Sequence, residues 1–83
     1  MLKYRKADDT LELQRGTLRV IRQYIFGYTK KGAADMLNVS QGTMMRIEKP
    51  SCNIRKSTYE KVILCYHRLL TELGWKLERP QHV

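Results

Sequence analysis

Apolar residues recur at three- and four-residue steps along most of this chain, the spacing that gathers them on one face of a helix. The clearest run is Tyr59, Val62, Ile63, Tyr66, Leu69, Leu70 and Leu73. Ser57 and Glu60 stand three apart at its start, as in a capping box, and Gly74 follows as a stop. Upstream, Leu11, Leu18, Ile21, Ile25 and Tyr28 suggest another helix. Asp9 and Glu12 are spaced to begin it, but Gly16 interrupts, so Thr17 is an alternative start. Gly27 ends it with a residue suited to the left-handed conformation. No alternating run is bounded by hairpin residues, so no sheet is expected. The pattern predicts an all-α fold of four to five helices with a long C-terminal helix.

Between these runs lies TKKGAADMLNVSQGTMMRIE, residues 29–48, which reads as two short helices around a sharp polar turn. The first would bury Ala34 and Leu37, with Thr29 as its cap. Asn38-Val39-Ser40 would reverse the chain. The second, capped by Ser40, would bury Met44 and Ile47 and leave Gln41, Gly42, Thr43, Met45 and Arg46 outside. A small Ala34 lets two helices cross steeply where their backbones come closest. Pro50 stops the second helix, and KPSCNIRKS, residues 49–57, adds three cations and no acid. Such a pair can insert a helix into the major groove of DNA.

Here the chain resembles the helix-turn-helix family of phage lambda repressor and Cro. The likeness covers roughly residues 18–64 and is strongest in Val39-Ser40-Gln41-Gly42-Thr43-Met44-Met45-Arg46-Ile47-Glu48, beside the family's frequent V-S-Q-S-T-I-S-R-I-E. It departs from the family in Asn38 for the turn glycine, in Gly32 and Ala33 for larger residues, and in one extra residue between Leu18 and Thr29. The resemblance implies a lambda repressor-like domain over 1–83, with 1–9 an arm or short extension and 76–83 a tail. It maps base contacts to Gln41, Gly42, Thr43 and Arg46. It also suggests that Glu48, awkward beside phosphates, forms a structural ion pair with Arg22.

Charge agrees with such a partner. The 83 residues carry 16 Lys and Arg against 8 Asp and Glu, a formal net charge of +8, which favours a polyanion or an acidic protein. The Gln41 amide matches adenine bidentately, and the Arg46 fork matches guanine. Thr29, Lys30, Lys31, Ser40, Lys49, Asn53, Arg55 and Lys56 bracket the second helix as candidate phosphate contacts. Part of 66–77, namely Tyr66, Leu69, Leu70, Leu73, Trp75 and Leu77, is the expected dimer interface, because specific DNA readers of this size usually bind as symmetric pairs.

Other classes find little support. The N-terminus lacks the apolar core of a signal peptide, and no run suits a membrane helix. Cys52 and Cys65 form no C-x-x-C, and His67 and His82 complete no metal quartet, so free thiols in a reducing cytoplasm and no metal or cofactor are expected. No nucleophile–base set or phosphate-cradling loop argues for an enzyme. The expectation is a cytoplasmic repressor that binds an inverted-repeat double-stranded DNA operator as a homodimer, with room for a corepressor protein. The rival is a protein-interaction module, such as an antitoxin or antirepressor, gripping an acidic partner.

Overall fold

Leu2, Tyr4, Leu11 and Leu13 alternate with Lys3, Arg5, Thr10 and Glu12, and in the computed structural model, which describes residues 2–78, this alternation becomes a sheet. Strand β1 (Leu2–Lys6) pairs antiparallel with β2 (Asp9–Leu13) and, on its other side, with β3 (Lys76–Glu78), giving the order β2-β1-β3. The fold is therefore mixed α/β, and the all-α expectation is wrong. The residues read as an arm form β1 and its turn. Asp9 and Glu12, spaced like a capping box, lie in β2, and the expected tail begins with β3; its residues 79–83 lie outside the described ones.

Directly opposed residues share a face of a sheet. Tyr4 lies opposite both Leu11 and Leu77, and Leu2 opposite Leu13. This apolar face, with Trp75 just before β3, meets the helices; Lys3, Arg5, Lys76 and Glu78 are left exposed on the other side. The hairpin turn is Ala7-Asp8, with Ala7 at φ 54°. An L-residue pays about 1–2 kcal/mol for that left-handed step.

The first helix, α1, covers residues 15–26: a 3-10 turn at Arg15–Thr17, an α turn at Leu18–Val20 and a π-helical stretch at Ile21–Phe26. A π turn takes up one residue more than an α turn of the same length, and here it carries the chain from Ile21 to Phe26. Gly27 closes it at φ 73°, and the Arg22 carbonyl accepts from the amides of both Gly27 and Tyr28. Helices α2 (Lys30–Leu37), α3 (Gln41–Ile47) and α4 (Lys56–Glu72) follow. Arg55 precedes α4 without a side-chain cap, so the helix starts one residue before Ser57 and makes no capping box there.

One core unites the layers. Tyr4 and Leu13 from the sheet join Leu18 and Ile21 of α1, Leu37 of α2, Met44 and Ile47 of α3, and Val62, Tyr66 and Leu70 of α4. The Tyr4 hydroxyl and His67 Nδ1 are hydrogen-bonded at 2.6 Å, fastening β1 to α4. Among the described residues, no helix is long and apolar enough to cross a membrane. Ala7→Gly is expected to relieve the turn. Gly costs more entropy on folding, so the net gain is about 0.5 kcal/mol, or about 3 °C in thermal midpoint. An unchanged or lower midpoint in a thermal melt would refute strain at that turn.

Candidate nucleic-acid interface

Two capped helix starts and one left-handed residue set the geometry of α2 and α3. The Thr29 hydroxyl accepts from the Gly32 amide at 3.0 Å. A Cβ on Gly32 would come within 3.2 Å of that oxygen, so the glycine that weakens the helix also leaves room for its cap. At the other end Asn38 takes φ 57°. The Val39 amide then bonds the Ala34 carbonyl and the Asn38 amide bonds that of Asp35, a Schellman closure built on asparagine. Ser40 caps α3, its hydroxyl accepting from the Thr43 amide at 3.1 Å and donating to Thr43 Oγ1 at 2.9 Å.

The inner faces of this pair are fully buried at Ala33, Ala34, Leu37, Met44 and Ile47. The outer face of α3 presents Gln41, Gly42, Met45 (52% exposed) and Arg46, with Thr43 half-buried beside them. Two open concavities flank it. Arg19, Gln23, Tyr28, Thr29, Lys30 and Lys49 line one; Thr43, Arg46, Asn53, Arg55 and Thr58 line the other. Thus Thr29, Lys30 and Lys49 gather on one flank, and Asn53 and Arg55 on the opposite one. Lys31 is exposed but lines neither, and Lys56 turns along α4 to within 4.0 Å of Glu60. Arg19 escaped the sequence reading because its exposed side chain lies off the apolar stripe of α1.

Charge is segregated by element. Residues 15–57 contain nine Lys and Arg but two Asp and Glu, whereas residues 2–14 and 58–78 together contain six of each. Of the two acids in the basic stretch, Glu48 is neutralised internally. Its carboxylate receives Arg22 Nε at 2.5 Å and Nη2 at 3.1 Å, with both side chains at most 7% exposed. Arg22 Nη1 also donates to the Tyr28 carbonyl at 2.9 Å. The hydrogen bond to Glu48 raises the pKa of Arg22, although burial alone would lower it. Glu48 therefore presents no bare carboxylate near the outer face of α3.

A second arginine of α1 holds the same end of α3. Arg15 donates to four carbonyls: Ile47 by Nε at 3.1 Å, Cys52 by Nη1 at 2.6 Å, and Arg46 and Lys49 by Nη2 at 2.7 and 2.6 Å. These include the last carbonyls of α3, where a cation also complements the helix dipole. Sequence carried no local sign of this role, since its acceptors lie over thirty residues away.

The expected dimer interface needs correction. Tyr66, Leu70 and Trp75 are buried within the monomer core, Tyr66 edge-on against Phe26 of α1. Leu69 is half-buried, while Leu73 and Leu77 remain exposed. Cys52 and Cys65 are free and half-buried, and burial pushes the Cys65 thiol up from its ordinary pKa, away from the reactive thiolate. Comparison with protein-family models, with curated proteins and with solved structures finds no match to this chain.

Arg22→Ala and Glu48→Ala are each expected to lower unfolding free energy by about 3 kcal/mol, because either leaves a stranded charge. Arg15→Ala should cost about 2 kcal/mol, and Arg15→Lys should recover less than half, since a point charge cannot serve a fork of four acceptors. Urea unfolding of these variants decides; wild-type midpoints would remove both arginines from the frame of α3.

Proposed function

We propose that this protein is a sequence-specific DNA-binding regulator of transcription, which acts as a dimer on an inverted-repeat operator and represses by occluding the promoter. The observation that carries this reading is the exposed outer face of α3, Gln41 to Arg46, on a helix whose inner face is wholly buried and whose flanks are basic. A helix so mounted is a probe for a groove.

In the major groove Gln41 would offer adenine a donor and an acceptor, and Arg46 would place two donors on guanine O6 and N7. Met45 would lie against thymine methyls. Thr43 already accepts from Ser40, so its remaining contributions are its methyl and its own hydroxyl proton. Gly42 allows close approach of backbone. Lys30, Lys49 and Arg19 on one flank, with Asn53 and Arg55 on the other, would set register by phosphate contacts, which position the helix without reading sequence. In a two-fold pair the reading helices would enter grooves about 34 Å apart. Occlusion requires only that the site be occupied.

The test begins with selection from a random duplex pool, followed by fluorescence anisotropy on the selected and scrambled duplexes at two salt concentrations. Gln41→Ala should weaken the selected duplex by about tenfold or more while leaving scrambled DNA unchanged, whereas Arg46→Ala should weaken the selected duplex by at least as much and scrambled DNA only by the smaller loss of one charge. Arg19→Ala and Lys49→Ala should weaken both alike and reduce the salt slope by about one each. Full preference retained by the first two variants would remove α3 as the reader.

A further inference from the structure

Among the described residues the outer edge of β2 pairs with no strand. A mainly apolar groove runs between that edge and α1, lined by Leu11, Val20, Ile25 and Trp75. Its charged lining residues are Asp9 and Glu12, with no Lys or Arg. The two concavities beside α3 are, by contrast, lined by cations. We propose that this groove docks an extended segment of a partner protein, which adds a strand to β2 and carries two cations flanking an apolar residue. The proposal goes beyond the DNA-binding reading and does not rest on it.

The backbone sets where such a strand can sit. In an antiparallel ladder, alternate residues turn their amide and carbonyl toward each neighbour. The two-residue turn Ala7-Asp8 makes Lys6 and Asp9 a bonded pair, so Leu11 also faces β1, while Thr10 and Glu12 present their groups outward. The Glu12 carbonyl is taken by the Thr17 hydroxyl at 2.5 Å, which closes the edge where α1 begins. The Thr10 amide and carbonyl and the Glu12 amide are left, enough to pair a segment of about four residues.

Side chains then define the occupant. Directly opposed residues share a face of a sheet, and unlike charges opposed across it attract. An antiparallel segment read from its N-terminus meets Glu12, Leu11, Thr10 and Asp9 in turn. It therefore needs a cation, an apolar residue, a neutral residue and a second cation. The apolar one, opposite Leu11, enters the groove and covers Val20, which is 53% exposed. Lys3 and Lys6 stand opposite Glu12 and Asp9 on β1, yet among the described residues neither carboxylate is in an ion pair. A second copy would have to bring β3, the other edge strand, and that contact would repeat head to tail without closing. A strand from a different protein ends the sheet. No lining residue lies on α2 or α3, so a partner seated here leaves the outer face of α3 uncovered.

Trp75 is the only tryptophan of the chain, so its emission reports on this groove. The probe is an acetylated, amidated peptide Gly-Lys-Val-Thr-Arg-Gly, titrated into the full chain without DNA. Trp75 emission should change saturably, with a dissociation constant of about 0.1–1 mM. Serine for the peptide's valine, or proline for its threonine, which removes the amide that meets Thr10, should each weaken binding about tenfold. Asp9→Lys should weaken it similarly and transfer the preference to Gly-Lys-Val-Thr-Glu-Gly. Val20→Glu should abolish it, and far-ultraviolet dichroism should stay unchanged in both variants, since both positions are exposed. At a formal net charge of +8, non-specific attraction favours a peptide with glutamate at both cationic positions, so a preference for the cationic probe belongs to the groove. No saturable change, an equal response to the doubly glutamate peptide, or indifference to both substitutions overturns the proposal. So does self-association in sedimentation equilibrium that Asp9→Lys abolishes, which assigns the groove to another copy. No step uses DNA, so failure here and failure of the nucleic-acid reading are distinguishable.

Discussion

A buried charge must be matched, and here one match fixes the position of the most exposed helix. The Arg22 side chain is nearly buried, 7% exposed, so its guanidinium takes the Glu48 carboxylate and the Tyr28 carbonyl together. Because a fork and a carboxylate meet in a plane, the pair constrains orientation as well as distance. About two helical turns earlier on the same helix, Arg15 takes the carbonyls at the end of α3 and in the loop beyond it. One helix thereby holds the end of another at two points. The π-helical stretch in α1 belongs to this arrangement. Its first turn starts at Ile21, next to Arg22, and its end delivers Tyr28 to the same guanidinium.

The sheet solves a different problem. A small domain buries a modest share of its surface, and the stripe on α4 needs a cover broader than α2 and α3 can supply. Tyr4, Leu13 and Trp75 provide it from the other side. Its strands are far apart in sequence, so the termini of the described chain are drawn together by β1 and β3. With Tyr66 and Leu70 in the core, the apolar surface that α4 leaves accessible lies at Ile63 and Leu64.

The difference between what was legible in the residues and what was not follows the range of the interactions. Thr29, Asn38 and Ser40 act within a few positions of themselves, through caps and a left-handed turn, so their chemistry identifies α2, the turn and α3 directly. Gly27 and Gly74 are similar, both at positive φ where the chain stops a helix. The sheet was hidden because its turn uses Ala7 where glycine or asparagine would have signalled a hairpin. Asp9 and Glu12 also imitate a helix start. β3 has three residues and a partner at the opposite end of the chain, which no local pattern encodes. The apolar stripe on α4 was visible, but periodicity does not say whether a sheet or a second subunit covers it. For the candidate site, the outward residues of α3 could be read from its spacing. Arg15 could not, since an arginine that serves distant carbonyls looks like any surface cation.

α3 has seven residues, too few for a helix to persist by its own hydrogen bonds in water. Its shape is therefore a property of its surroundings: Ser40 at the start, Met44 and Ile47 in the core, and the two arginines at the end. A side chain that reads bases discriminates only if its backbone is held within a fraction of an ångström, because a misplaced fork forms one bond where two are needed. Arg46 sits at the junction of both demands. Its side chain is exposed on the candidate reading face while its carbonyl is held by Arg15. The fidelity of any contact Arg46 makes then depends on Arg15 of α1, which holds its carbonyl. In the proposed DNA-binding reading, stability and specificity would be coupled through that carbonyl, leaving α3 little freedom to adjust to a poor site by tilting.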